Sequence, residues 1–260
     1  MPTVVIPGPA GRIQAMYKHS GGDTAPIALI LHPHPIYGGT MNNKVVYSLY
    51  HTFADAGFNV LRFNFRGVGE SQGEYDRGEG ELEDATAALE WLQTTNPGAR
   101  ACWVAGFSFG AWISMQLLMR RPEVTSFVSI APPANMYDFS FLAPCPTSGL
   151  MVQGTNDQIA PLDETERLVE RLHIQKGIHI QLDKIAGANH YFQGHLAALD
   201  HSVASYLAAH ADYSNLQGEI APALTIRKQS PEALPTPAQN SQDSRDSQET
   251  EIDETELETL

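Results

Sequence analysis

The segment Gly106-Phe107-Ser108-Phe109-Gly110 sets one serine between two glycines, directly after the apolar run Ala101–Ala105 and before an apolar stretch holding Trp112, Ile113 and Leu117. A serine on a sharp strand-to-helix turn exposes its hydroxyl, and flanking glycines permit the turn. A plain turn serine is the alternative; the strand–turn–helix context outweighs it. A hydroxyl attacks a carbonyl only when a base removes its proton, and an imidazole oriented by a carboxylate serves as that base. Two later segments supply these groups. The run Gly149–Gln153 ends in Gly154-Thr155-Asn156-Asp157, and the run Ile178–Leu182 precedes Gly187-Ala188-Asn189-His190. Ser108 as nucleophile, His190 as base and Asp157 as orienting acid form the candidate constellation. A base must be neutral to act, so turnover is expected to fall on acidification.

Other residues compete for these roles. Asp163 opens a predicted helix, where an acid has a blander use at the N-terminus. Asp183 directly ends a predicted strand and precedes His190 closely. His195 and His201 fall on a predicted final helix. Attack on a carbonyl also needs N–H donors for the oxyanion. Phe109, the residue after the nucleophile, offers one. The second is expected from His32-Pro33-His34-Pro35-Ile36-Tyr37-Gly38-Gly39. Pro33 and Pro35 have no N–H, so His34 is the best donor by position, with Ile36 and Tyr37 behind it. The His32/His34 pair has metal-ligand spacing, but prolines surround it and no third ligand is near in sequence. Bracing the loop is the better role for His32. Gly67–Gly73 lacks the lysine of a phosphate-binding loop. It reads as a tight loop bordering the pocket, braced by ion pairing of Arg66 and Glu70.

These residues need a scaffold that brings loops to one edge. Short strands are predicted at Val4–Ile6 and Arg12–Tyr17. The continuous apolar run Ile27–Leu31 suits a strand buried on both faces. Val45, Leu49 and Phe53 recur as one helix face does, with Asn42 or Asn43 as cap and Gly57 as stop. Phe58–Phe65 is a strand, and Leu82, Ala85, Leu89 and Leu92 mark a helix with Glu79, Glu81 and Glu83 near its start. After the strand Ala101–Ala105 come the helix Phe109–Arg121, the strand Thr125–Ala131, the strand Gly149–Gln153, the helix Leu162–Leu172, the strand Ile178–Leu182 and the helix Phe192–His210. Such alternation gives a mostly parallel sheet with helices on both faces and a ligand site at the carboxyl ends of the strands.

Composition narrows the function classes. The 260 residues carry 16 Lys+Arg against 30 Asp+Glu, a formal charge of −14. That excludes a basic face for nucleic acid. Ser241–Leu260 hold eight acids and one arginine, −7 in all. Residues 1–210 form the predicted domain. Residues 211–260, Pro/Ser/Glu-rich and acidic, form a predicted disordered tail with too little apolar surface to fold. No apolar run reaches the ~18–20 residues of a membrane span, and no secretory signal is visible. Cys102 and Cys145 read as small core residues suited to a reducing compartment, so a cytoplasmic location is expected. Oligomeric state is open, a homodimer included.

Together these motifs resemble the α/β-hydrolase superfamily over residues 1 to about 210. The loop His32–Asn43, the segment Arg62-Phe-Asn-Phe-Arg-Gly67 and the Gly106–Gly110 elbow are more narrowly similar to small bacterial hydrolases without a lid. The resemblance implies the α/β-hydrolase fold with eight strands and a minimal cap. It also implies a Ser108–His190–Asp157 hydrolase acting on a small-molecule acyl substrate, with no cofactor. Pro132–Ser148 takes the place of a lid, with Phe139, Phe141 and Leu142 as an expected apolar lip. Serine at 108 disfavours the aspartate and cysteine chemistries of related dehalogenases and dienelactone hydrolases. Ester cleavage is expected; thioester or amide cleavage, or a non-catalytic binding protein, are the alternatives.

Overall fold

The computed structural model describes residues 3–174 and 177–210; the predicted tail lies outside them. One sheet organises them, in the order β1-β2-β4-β3-β5-β6-β7-β8. Its strands are β1 (Thr3–Gly8), β2 (Gly11–Lys18), β3 (Ile27–Leu31), β4 (Asn59–Phe63), β5 (Cys102–Phe107), β6 (Ser126–Ile130), β7 (Gly149–Gly154) and β8 (Ile180–Ile185). β1 and β2 pair antiparallel, as do β2 and β4; every other pair is parallel. This is the mostly parallel sheet that the alternation of elements predicts, with the eight strands that the resemblance to α/β hydrolases implies.

The central strands β3 to β7 are buried along their whole length because both faces are covered. Along β3, Ile27, Leu29 and Leu31 enter one core and Ala28 and Ile30 the other. The helices α2 (Glu79–Thr95), α3 (Phe109–Arg120) and α4 (Leu162–His173) cover the first face, and α1 (Lys44–Asp55) and α5 (Leu196–Ala209) the second. Asn43 caps α1 by accepting the Val45 N–H at 2.9 Å. Gly57 stands just past its end at φ 88°, where a residue with a Cβ would be strained. Among the described residues no helix is long and apolar enough to cross a membrane.

The largest departures from the expected boundaries are in the last two elements. β8 runs to Ile185 because its register with β7 pairs Gly154 with Ile185. α5 starts at Leu196 because Phe192 (φ 51°) and Gly194 (φ 74°) turn the chain first. His195 therefore sits at the N-terminal cap position, and His201 is helical.

The chain beyond β4 alternates like a strand. Phe63 and Phe65 enter the core, while Arg62 and Asn64 reach the loop at Met41 and Asn42 and Arg66 reaches α2. Arg62 donates to the Met41 carbonyl and the Asn42 side chain, and Asn64 accepts from the Met41 N–H at 2.8 Å. This explains why the Arg62–Gly67 segment and the His32–Asn43 loop occur together. Arg66 does not pair with Glu70, as the sequence suggested. Its guanidinium grips buried Asp84 of α2 through bonds of 3.1 and 2.9 Å, and its backbone N–H donates to the same carboxylate at 2.8 Å. Glu70 instead uses its backbone, accepting from Arg12 and donating to Gln14. The Gly67–Gly73 loop is thus fastened to β2.

Replacing Asp84 with alanine should leave the buried Arg66 guanidinium only the two exposed carboxylates of Glu83, at 3.2 Å, and Asp76, at 3.7 Å. The expected loss is about 2–3 kcal/mol, a fall in Tm of about 5–10 °C. Thermal unfolding of the variant checks this; a Tm within about 2 °C of the wild type would show that the pair holds nothing together.

Candidate active site

Ser108 sits between β5 and α3 with φ 55° and ψ −119°. That left-handed backbone is costly for a residue with a side chain, and the surroundings enforce it. The Ser108 N–H donates to the Ile130 carbonyl at 2.9 Å, and its carbonyl accepts from Ala111 at 2.8 Å. The elbow glycines let strand and helix approach. A Cβ on Gly106 would fall 2.2 Å from the Gly110 carbonyl oxygen, and one on Gly110 2.5 Å from those of Leu31 and His32. Ser108 is 7% exposed, at the carboxyl edge of the sheet.

His190 reaches Ser108 from the loop after β8. Its Nε2 lies 3.0 Å from Ser108 Oγ, and its Nδ1 lies 2.8 Å from Asp157 Oδ2. Asp157, on the loop after β7, is itself held on every side. Its Oδ1 accepts from the Ile159 and Ala160 N–H groups at 2.9 and 2.8 Å, and its Oδ2 also accepts from Gln153 Nε2 at 2.9 Å. Burial pushes this carboxyl up, but His190 and the two amides more than offset it and hold it below the usual carboxylate range. Gln153 is in turn fixed by the Ala160 carbonyl and Thr165. Its signal in the sequence is an amide at the end of a fully buried strand.

The competing residues are engaged elsewhere. Asp163 pairs with Arg167 on exposed α4. Asp183 lies inside β8 rather than at its end, and accepts from Gln181 and from Ser202 of α5. His195 Nδ1 is 2.9 Å from the Gln193 carbonyl.

The His32–Gly39 loop lies against the serine. The His34 ring packs 4.9 Å from the Phe109 ring. Within the loop, Ile36 donates its N–H to His34 Nδ1 and Tyr37 donates to the His34 carbonyl, each at 3.2 Å. Because His34 Nδ1 accepts, the ring proton is on Nε2 and is donated to Tyr75 Oη at 3.2 Å. Tyr75, just past the glycine-rich loop, is a contact that sequence reading did not find. Phe109 begins α3, so its N–H belongs to the unsatisfied first turn of that helix.

The chain matches the family described as X-Pro dipeptidyl-peptidase (S15 family) over residues 19–215. It belongs to this family of α/β hydrolases. A Rickettsia prowazekii protein, RP471, is 52% identical over 80% of this chain and 89% of its own. The crystal structure of ATU1826 from Agrobacterium tumefaciens, a protein of unknown function, is 53% identical, with a TM-score of 0.79 over 85% of this chain and all of its own. XC6422 from Xanthomonas campestris, an α/β serine hydrolase without a lid, is 31% identical, with a TM-score of 0.72 over 80% of this chain and 94% of its own.

This α/β hydrolase likewise carries only Pro132–Ser148 between β6 and β7. Of the expected lip, Phe139 and Leu142 are buried against the core and only Phe141 is half-buried; Met136, 53% exposed, is the most exposed large apolar residue of the segment. Cys102 and Cys145 are both buried, and neither is in a disulfide. Burial pushes the Cys102 thiol up to about 12, so it stays protonated and unreactive.

His32 and His34 do not face one another as ligands. His32 Nε2 accepts the Phe65 N–H at 3.0 Å, so its Nδ1 carries the proton and donates to the Pro33 carbonyl at 2.6 Å. Both ring nitrogens are spent on bracing the loop. Among the described residues no cluster of three or more His, Cys, Asp or Glu forms a metal site. Burial lowers His32 from the ordinary 6.5 to about 4. Between those values the unfolded chain takes up a proton that the folded chain refuses, so stability falls as pH falls. His32 alone should account for about 3 kcal/mol over that range. Urea unfolding at neutral pH and near the lower value, for wild type and His32→Gln, checks this. The variant should lose markedly less stability on acidification, and an equal loss would contradict the assignment.

Proposed function

We propose that this protein is a serine esterase working through an acyl-enzyme. Ser108 Oγ attacks the ester carbonyl as His190 Nε2 takes its proton. His190 then returns that proton to the leaving alcohol, and a water repeats the sequence to release the acid. Asp157 holds the imidazole with its proton on Nδ1 and stabilises its positive form. The observation that carries this reading is the strained Ser108 in line with His190 and Asp157, at 3.0 and 2.8 Å.

The Phe109 and His34 N–H groups are the oxyanion donors in this reading. Two observations support His34. The prolines on either side have no N–H, and Ile36 and Tyr37 spend theirs inside the loop. Phe109 adds the positive end of α3.

The family description favours a second reading, cleavage of a dipeptide from an X-Pro terminus. The same three residues can cleave an amide. Recognition of a peptide amino terminus, however, calls for a free carboxylate beside the site. Glu81, close enough to influence Tyr75 and Tyr137, spends both oxygens on the Asp76 and Gly78 N–H groups at 2.9 and 2.7 Å. Thioesters share the ester mechanism. The deciding experiment compares 4-nitrophenyl acetate and butyrate with an X-Pro 4-nitroanilide. Faster turnover of the esters supports the esterase, and anilide cleavage without ester cleavage replaces it with the peptidase.

A further inference from the structure

A belt of aromatic rings runs beside Ser108, with Phe109 at its centre. Between centroids, the Phe109 ring is 4.9 Å from His34, 5.7 Å from Trp112, 5.9 Å from Tyr137 and 6.2 Å from Tyr75. Tyr137 stacks on Trp112 at 4.4 Å and 23°, and Tyr37 lies 4.8 Å from His34 on the other flank. Phe109 itself is buried, 1% exposed, and the rings around it differ from those of the core. Trp103, Phe53, Phe63 and Phe127 are sealed. His34, Tyr75, Trp112 and Tyr137 are half-buried, and Tyr37 is 83% exposed.

The apolar surface continues around the opening. Ile36, Tyr37, Met136, Ile159 and Tyr191 are exposed, and all stand on the loops after β3, β6, β7 and β8. Those loops hold His34, Tyr137, Asp157 and His190. Exposed apolar side chains gathered at one edge mark a binding surface. Burial favours the neutral forms of three of these rings: it lowers His34 and raises Tyr75 and Tyr137, the last to about 12.

We propose that this belt is the acyl subsite, and that it selects esters whose acyl group carries a planar aromatic ring over saturated esters of the same size. The proposal rests on the esterase reading above. Aromatic rings prefer offset or edge contacts with centroids 4.5–7 Å apart, the spacing already present within the belt. A saturated ring gains from area alone. Without a lid, the site offers open ring faces in place of a deep tunnel for a long chain.

The test measures kcat/KM for ethyl 3-phenylpropanoate and ethyl 3-cyclohexylpropanoate by pH-stat titration. The wild type should prefer the phenyl ester by about tenfold. Tyr137→Leu and Trp112→Leu should each shrink that ratio toward one. Because the ratio is internal to each protein, a general loss of activity does not move it, and fluorophosphonate labelling verifies that the serine of each variant is intact. Equal rates for the two esters in the wild type, or a preference that survives both substitutions, would overturn the proposal. Failure of the esterase reading itself is recognised separately, by wild type and Ser108→Ala hydrolysing 4-nitrophenyl acetate equally; that result removes the acyl subsite as well.

Discussion

Ser108→Ala is expected to slow ester turnover by about 10⁵- to 10⁶-fold, the scale on which nucleophile loss acts in serine hydrolases. The size follows from how many functions pass through one oxygen. Without Oγ there is no acyl-enzyme, and the proton transfer for which His190 is placed at 3.0 Å has no donor. What remains is direct attack by water, helped by the oxyanion donors and by binding. The substitution leaves the backbone strain in place, because alanine at φ 55° keeps a Cβ, so the protein should fold with the wild-type spectrum. The check is kcat at saturating ester together with circular dichroism. Activity within tenfold of wild type in a folded variant would remove Ser108 from the chemistry.

Asp157→Asn should cost about 10⁴-fold in kcat, although it changes a single atom. The surroundings dictate which way the amide points. The Ile159 and Ala160 N–H groups require an acceptor at the Oδ1 position. The Asn NH₂ must then take the Oδ2 position, facing His190 Nδ1 and the Gln153 NH₂. There it donates to Nδ1, which drives the imidazole proton to Nε2. That tautomer cannot accept from Ser108. KM should change far less than kcat, since Asp157 is buried behind His190. Steady-state kinetics of the variant test this. Retention of a tenth or more of the wild-type kcat would mean that the carboxylate does not set the tautomer.

The order of elements was legible because the central strands are apolar on both faces and glycine or proline punctuates them. The candidate site was legible for a related reason: Ser108, Asp157 and His190 each follow a strand of one sheet, so topology alone carries them to one edge. The errors lie where side-chain geometry decides. Arg66 and Asp84 are 18 residues apart, on a loop and a helix, and nothing periodic links them; Glu70 was merely nearer. The Pro132–Ser148 segment has no periodicity to show which of its apolar residues turn inward, and Phe139 and Leu142 do while Met136 does not. Tyr75 reaches His34 across 41 residues through the end of a loop whose glycines suggested a different use. The start of α5 depended on Phe192 adopting a positive φ, which few residues of that size do.

The most direct test of the account is covalent capture of the serine. Wild-type protein treated with a fluorophosphonate should gain the mass of one adduct, located by peptide mapping on Ser108, and Ser108→Ala should gain none. Reaction requires an activated hydroxyl but no fit to a particular substrate, so the result does not depend on which acyl bond the protein cleaves. An unmodified Ser108 in protein that hydrolyses esters, or an adduct on another residue with hydrolysis lost, would contradict the nucleophile assigned here.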